Sequence, residues 1–219
     1  AMMTHSASLV WVTPNAEQLI ADIARVSSPE RQGDDPQKLI GWLIRKRHWS
    51  PFEMVSMCVE INTTRDIGRQ ILRHRSFSFQ EFSQRWASNS KLGMAAPPKC
   101  RLQNPDAREF PIDCDDAELN VWWTAVANSA LVSAYQQYEA ALEKGISREV
   151  ARAILPEGVT ATRMYMSGTF RSWIHYLQLR MSADTQAEHR AVACSIAEIL
   201  STVAPFVSEC AIQKTGQNP

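Results

Sequence analysis

The chain lacks the cysteine and histidine spacings that build common zinc sites or disulfide frameworks. Its five cysteines, which are odd in number, form no Cys-x-x-Cys pair: Cys58, Cys100, Cys114, Cys194 and Cys210. The five histidines include no His-Glu-x-x-His motif and no pair four residues apart. We therefore expect free thiols in a reducing compartment, a cytoplasmic location and no bound metal.

Long apolar runs and an excess of either charge are also missing. No stretch approaches the roughly 18–20 apolar residues of a membrane-spanning helix, and residues 1–5 lack the basic-then-apolar order of a signal peptide. The formal net charge is zero, which argues against a highly basic nucleic-acid coat protein or an acidic tail protein. With 219 residues, 45% of them hydrophobic, we expect one soluble domain over residues 1–219, with a loop-rich insertion at about 91–114.

Arginine is abundant where lysine is scarce, with 17 residues against 6. A guanidinium group binds phosphate or carboxylate through two parallel hydrogen bonds, so this bias suggests anionic ligands. Five arginines fall between positions 65 and 85, opposed there by only two acidic residues: Arg65, Arg69, Arg73, Arg75 and Arg85. The first three are spaced for one helical face, where like charges repel. Acidic residues from elsewhere or an anionic ligand would offset that repulsion, and a solvated helix end is the alternative.

Apolar periodicity and capping residues predict a mostly helical chain with a small sheet, an α+β fold. Helices are predicted at about residues 14–26, 35–47, 64–75, 115–145, 147–155, 169–181 and 185–210. Alternating apolar and polar residues predict one half-buried strand at 55–62, whereas 76–85 is predicted to be irregular and 91–113 a long loop. Trp122 and Trp123 lie on the apolar stripe of the longest helix, which is typical of core or interface positions.

One motif is specific enough to suggest a family. Arg73-His74-Arg75 is followed, after seven residues, by Ser83-Gln84-Arg85, with Glu81 between them. This pattern resembles the signature of the flavin-dependent thymidylate synthases, the ThyX family. Further segments that resemble the same family cover most of the chain: residues 24–27, 48–53, 69–73, 148–156 and 173–180. The stretch from Lys91 to about Glu118 carries no useful resemblance.

The resemblance implies a fold with a largely antiparallel sheet and the reductive methylation of dUMP to dTMP. The implied carbon donor is 5,10-methylenetetrahydrofolate, and NADPH reduces a bound FAD. A reduced flavin supplies the hydride, so such an enzyme does not need the cysteine nucleophile that classical thymidylate synthases use. The resemblance also implies a homotetramer with its sites between subunits.

Site residues follow from the resemblance position by position. The positions that match flavin contacts are Ser27, Ser50, Glu53, Arg73, His74, Arg75 and His175. The positions that match dUMP contacts are Gln70, Glu81, Ser83, Arg85, Arg152 and Arg180. Within these sets, the residues expected to act in catalysis are Arg180, Arg152, Ser83 and His74. Ser83 and Arg85 suit the phosphate of dUMP, whereas Arg152 and Arg180 suit the uracil carbonyls.

Three positions depart from the family pattern. His175 stands where some members have Asn, and Asp184 stands where others have a His near the flavin. We assign no role to Asp184, because a carboxylate close to a reduced flavin would be repelled. Trp86 replaces the more familiar Tyr after Arg85, which keeps a flat ring but loses a hydroxyl group.

Two other functions remain open from the sequence. A nucleic-acid-binding module could use the basic segment together with stacking rings at Phe77, Phe79, Phe82 and Trp86, although the zero net charge argues against it. A catalytically degenerate relative could keep the nucleotide pocket as a binding protein.

Overall fold

A computed structural model describes residues 5–212, so most of the N-terminal segment considered for a signal peptide lies outside the described residues. A four-stranded sheet has the order β1-β2-β6-β3. Its strands are β1 (Ser6–Val12), β2 (Ser56–Thr64), β3 (Ser78–Glu81) and β6 (Ala161–Thr169), and a separate two-stranded sheet pairs β4 (Arg101–Leu102) with β5 (Ile112–Asp113). The predicted strand at 55–62 is confirmed as β2, whereas the other strands were not predicted.

Hydrogen bonds at the strand ends give the direction of the larger sheet. Arg65 N–H donates to Thr160 O where β2 ends and β6 begins, and Phe170 N–H donates to Val55 O at the opposite ends of both strands. Phe82 N–H likewise donates to Arg163 O beside β3. Strands β2 and β6 therefore run antiparallel, and the expected α+β class with a small antiparallel sheet is confirmed.

The described residues contain eight α-helices. They are α1 (Ala16–Ala24), α2 (Gln37–Lys46), α3 (Arg65–Ile71), α4 (Ala117–Glu143), α5 (Arg148–Ala151), α6 (Phe170–Arg180), α7 (Ala187–Val203) and α8 (Pro205–Ala211). Within residues 5–212, none of the helices combines the length and apolarity needed to cross a membrane.

Several helix boundaries differ from the predicted ones for local reasons. Helix α3 ends at Ile71, so Arg73 lies in the following turn and does not share a helical face with Arg65 and Arg69. The predicted last helix is divided in two, because Pro205 cannot continue α7 and instead opens α8. The cap of α4 is Asp116, whose side chain accepts the Leu119 N–H at 3.0 Å, one residue later than predicted.

The chain forms two compact units. The first unit comprises residue 5, Asn62–Arg73 and Glu81–Met164, and the second unit comprises Ser6–Ile61, His74–Gln80 and residues 165–212. One domain over residues 1–219 stays a prediction.

The first unit is organised around the buried face of α4. Its core cluster consists of buried side chains from α4 and from the segment that follows it: Leu131, Tyr135, Tyr138, Ala151 and Leu155. In the second unit, α6 buries Phe170, Trp173 and Tyr176, and α7 buries Val192 and Ile196. Each unit thus has its own apolar centre.

Candidate active site

Helix α6 of the second unit presents three of its larger side chains along one face. Its cap is Thr169, which accepts the Ser172 N–H at 3.4 Å. Trp173, Tyr176 and Arg180 follow at intervals of three and four residues, so they share a face. The two aromatic side chains are fully buried, and Arg180, in the last turn, is partly exposed.

Arg180 binds the histidine of the Arg-His-Arg tripeptide. Its Nε–H donates to His74 Nε2 at 2.9 Å. A guanidinium group can only donate, so His74 Nε2 must be an unprotonated acceptor, and the neutral ring carries its proton on Nδ1. The bond therefore leaves His74 as an oriented Nδ1–H donor.

Burial and charge keep the histidines of this cluster neutral. Burial, together with the positive charge of Arg180, lowers the pKa of His74 to about 4. His189 of α7 is fully buried, and burial followed by the Arg180 charge lowers its pKa to about 3. Both rings are therefore uncharged at neutral pH.

Tyr176 lies between the two histidines. Its hydroxyl is 3.0 Å from His189 Nε2, and its ring meets that of His74 edge-on, with centroids 4.8 Å apart. Burial raises the pKa of Tyr176, so its hydroxyl stays protonated. The four side chains form one packed cluster, which we call the His74 cluster: His74, Tyr176, Arg180 and His189.

The buried ring of Phe77 holds the loop after His74 in place. Phe77 is buried and its ring meets that of Trp173 at a centroid distance of 4.6 Å. On its other side lies Gly168 of β6, where an added Cβ would stand only 2.4 Å from the Phe77 ring. Because Phe77 is buried in this way, it cannot act as an exposed stacking ring of the kind a nucleic-acid-binding module requires.

A cavity of about 360 Å³ opens beside α6 in the second unit. Two predicted flavin contacts, Glu53 and His175, line it together with Ser76 and Trp49. Arg171 Nη1 donates to Glu53 Oε1 at 2.6 Å, which holds that carboxylate at the cavity wall.

The other predicted flavin contacts are exposed. Ser50 lines a separate apolar groove with His48 and Trp42, and Ser27 lies after the end of α1. Arg73 and Arg75 flank His74 in the chain, and within residues 5–212 neither has an ion-pair partner. Their guanidinium groups are thus available to an anionic ligand.

In the first unit, Glu81 is held by its neighbours. Its carboxylate accepts the Thr162 hydroxyl at 2.8 Å and lies 3.3 Å from Nη1 of the buried Arg65. A half-buried carboxylate with two such partners is well satisfied. Arg65 is therefore offset by an acidic residue, one of the two possibilities that the sequence left open.

Two further arginines of the first unit form exposed ion pairs. Arg69 donates through Nε and Nη2 to Glu157 Oε1, at 3.1 and 2.9 Å, and the Glu157 hydrogen bond raises the pKa of Arg69. Arg85 Nε lies 3.3 Å from Glu149 Oε2, with more than half of both side chains exposed. Pairs so exposed contribute little to stability, and a phosphate could compete for Arg85.

The remaining predicted dUMP positions differ in their place in the fold and in the exposure of their side chains. Ser83 is exposed, and its carbonyl accepts the backbone N–H groups of Trp86 and Ala87. Arg152 is half-buried after α5, and Gln70 lies in the last turn of α3. Asp184, to which no role is assigned, is exposed. Five of the six positions belong to the first unit, and Arg180 belongs to the second.

Two buried polar groups near the candidate site have no signal in the local sequence. Asn89 is fully buried and its amide nitrogen donates to Tyr135 Oη at 2.8 Å, while its Oδ1 accepts from Gln84 Nε2 at 2.9 Å. This network anchors the segment that carries Ser83 and Arg85. The second group is the buried His189, and a single histidine in an apolar helix has no characteristic spacing.

Comparison with known proteins identifies the family. The model of the family described as "Thymidylate synthase complementing protein" matches residues 8–206. A flavin-dependent thymidylate synthase of Synechocystis sp. is 44% identical over 192 residues, 88% of this chain and 87% of that protein. A probable flavin-dependent thymidylate synthase of Paramecium bursaria Chlorella virus 1 is 42% identical over 213 residues, 93% of this chain and 97% of that protein.

Solved structures agree with this assignment. The UMP/dUMP methylase PolB from Streptomyces cacaoi, bound with 5-Br dUMP, superposes with a TM-score of 0.80 at 28% identity and covers 94% of this chain and 93% of its own. With 5-Br UMP bound, the same enzyme gives a TM-score of 0.83 at 26% identity over 94% and 92% of the two chains. The resemblance carried by Arg73-His74-Arg75 is confirmed, and the chain belongs to the flavin-dependent thymidylate synthase family.

Proposed function

We propose that this protein catalyses the reductive methylation of dUMP to dTMP, with 5,10-methylenetetrahydrofolate as carbon donor, NADPH as reductant and FAD as cofactor. The observation that carries the proposal is the bond from Arg180 to His74. It joins a position that matches a dUMP contact to the tripeptide that matches a flavin contact. Both partners stand in a chain that is 44% identical to a flavin-dependent thymidylate synthase.

The donor set around His74 fits a flavin. His74 offers an oriented Nδ1–H, and the guanidinium groups of Arg73 and Arg75 are exposed on either side of it in the chain. Donors and positive charge suit the anionic pyrimidine side of a reduced flavin. Bound FAD supplies the hydride that the methylation requires. Ser27, Ser50, Glu53 and His175 are proposed as its further contacts.

The residues proposed for dUMP act by binding and by stabilising charge. Ser83 and Arg85 hold the phosphate, for which Arg85 exchanges Glu149. Arg152 and Arg180 donate to the uracil carbonyls and stabilise enolate charge while C5 attacks the methylene carbon. Gln70 and Glu81 complete the proposed contacts, with Glu81 kept in place by Arg65 and Thr162.

We also propose a homotetramer, located in the cytoplasm. Support comes from α4, on which Val121, Trp122 and Val126 are 70%, 58% and 44% exposed. Three large apolar side chains on neighbouring turns of one helix are typical of an interface between copies. Trp123 beside them is instead held by its Nε1–H, which donates to Pro98 O at 2.8 Å.

UMP is a second candidate substrate. PolB, which superposes with a TM-score of 0.80, is named a methylase of both UMP and dUMP. The two nucleotides differ only by the 2′-hydroxyl group, so the uracil and phosphate contacts proposed above would serve either of them.

The deciding experiment is a methylation assay on purified protein loaded with FAD. We expect dTMP only when dUMP, methylenetetrahydrofolate and NADPH are all present, and parallel reactions with UMP measure the preference between nucleotides. Protein that retains no flavin absorbance after FAD titration and removal of the unbound FAD would contradict the proposal. Tight FAD and dUMP binding without any methyl transfer would instead identify a degenerate relative.

A further inference from the structure

Two of the five cysteines lie opposite each other in the first unit. The small antiparallel sheet pairs Arg101 with Asp113 and Leu102 with Ile112. The next step outward in this register pairs residue 100 with residue 114, and both of these residues are cysteines. The two side chains are near neighbours, since Cys114 is among the groups that raise the pKa of Cys100. Both thiols are free and partly exposed.

The geometry of this position suits a disulfide. Directly opposed residues of an antiparallel pair have Cα atoms about 4.5–5.5 Å apart, within the usual range of about 4.4–6.8 Å for bridged cysteines. A register continued by one residue would therefore bring the two thiols within reach of a disulfide. The other three cysteines belong to β2, α7 and α8 of the second unit.

We propose that Cys100 and Cys114 form a redox-active dithiol, which a low-molecular-weight disulfide such as glutathione disulfide converts to an intramolecular disulfide. The Cys114 thiolate attacks one oxidant sulfur and releases one oxidant thiolate, and the Cys100 thiolate then attacks Cys114 and releases the second. The two protons lost by the cysteines pass to these thiolates, so the pair loses two electrons and the oxidant gains two. Partial burial and the neighbouring Cys114 raise the pKa of Cys100, which suits Cys100 to the second step.

The bond would clamp a loop to the start of α4. The Cys114 carbonyl accepts Asn120 Nδ2–H at 2.7 Å, and two residues later Asp116 caps the helix. On the other side of the pair, Pro98 O accepts the Trp123 indole N–H. Both cysteine segments are thus already attached to α4, and the disulfide would close residues 101–113 into a covalent loop between them.

The test is oxidation of the full chain with glutathione disulfide in the presence of a chelator, followed by thiol counting and peptide mapping. We expect the pair to lose both of its titratable thiols, with the peptides that contain Cys100 and Cys114 joined and neither cysteine carrying glutathione. Hydrogen exchange over residues 101–113 should slow at least severalfold in the oxidised chain, and a reducing agent should restore both values.

Single serine variants provide the controls. Cys100→Ser should leave Cys114 as a stable mixed disulfide with glutathione, whereas Cys194→Ser, at an exposed cysteine of α7, should still form the 100–114 bond. A wild-type chain in which Cys114 stays a mixed disulfide, or in which other cysteines are joined instead, would overturn the proposal. So would unchanged thiol content under conditions that oxidise a model dithiol.

Discussion

Arg180 of the second unit is held differently from Arg69 and Arg85 of the first unit. In the second unit, Arg180 is part of the packed His74 cluster, where its Nε–H donates to a half-buried, neutral acceptor, His74. In the first unit, Arg69 and Arg85 lie in ion pairs whose members are about half exposed. The bond to His74 fixes the direction in which the Arg180 side chain points. The exposed ion pairs only keep the positive charges of Arg69 and Arg85 close to an acidic group.

The two arrangements suit different tasks, namely orienting a side chain and attracting an anionic ligand. A hydrogen bond between a guanidinium group and a half-buried ring sets where the arginine and the histidine each point, which preorganised catalysis requires. An exposed pair with a carboxylate is exchanged easily for another anion. We therefore expect changes in the His74 cluster to affect turnover and changes in the exposed pairs to affect substrate affinity.

The largest effect is expected for Arg180→Ala. The substitution removes a proposed uracil contact and also releases His74, so turnover of dUMP should fall at least about 100-fold. FAD affinity should fall by about tenfold, because one orienting bond is lost while Arg73 and Arg75 remain. Steady-state kinetics and flavin titration measure the two values.

Arg180→Lys is the matched control, since it keeps the charge but has no planar Nε–H donor. It should recover part of the affinity for dUMP and little of the turnover. Full recovery of turnover would mean that charge alone matters, and the contrast between orientation and attraction would fail.

The next effect concerns pH. Native His189 has a pKa lowered to about 3, whereas the unfolded chain takes up a proton near the ordinary value of 6.5. The unfolded state therefore binds more protons as the pH falls below 6.5, and the free energy of unfolding decreases. Between pH 7 and pH 5, His189 alone should account for a loss on the order of 2 kcal/mol. Partly exposed His74 should add less.

Denaturant titrations at the two pH values measure this loss. His189→Gln should lower stability at pH 7 but reduce the difference between pH 7 and pH 5. If the variant keeps the full wild-type difference, His189 is not the group responsible.

Gly168→Ala tests the packing of Phe77 against Gly168, which supports the loop after His74. Its Cβ would meet the Phe77 ring at 2.4 Å, so the loop after His74 must move. We expect a loss of about 1–3 kcal/mol in unfolding free energy, together with weaker FAD binding. Gly158→Ala in the first unit is the control, because its Cβ would stand 3.8 Å from Asp66, at ordinary contact distance.

How much of this could be predicted from the sequence depends on the kind of signal. Helix α6 and the position of β2 follow from local periodicity and capping, and the Arg-His-Arg tripeptide led to the family. The exposed edge strand β1 was missed because Leu9, Val10 and Trp11 stand in one run without alternation. Strand β6 alternates in burial from Thr162 to Met166, but the residues there do not alternate between polar and apolar types.

The pairing of charges could not be predicted. Arg65 meets Glu81 across 16 positions of sequence, and Arg69 meets Glu157 across 88. Such partners are brought together by tertiary packing, which local sequence patterns do not reveal. The bond from Arg180 to His74 spans 106 positions and was beyond prediction for the same reason.

The smallest effect on stability is expected for Glu149→Gln, which breaks the exposed pair with Arg85. The free energy of unfolding should change by less than about 0.5 kcal/mol, since solvent already screens both groups. The KM for dUMP should fall slightly, because Arg85 no longer has to leave a carboxylate to bind phosphate.

Arg85→Ala should instead raise the KM for dUMP by about tenfold with kcat little changed. If both variants shift kcat and leave KM alone, Arg85 is an orienting residue like Arg180, and the distinction between the two arrangements is lost.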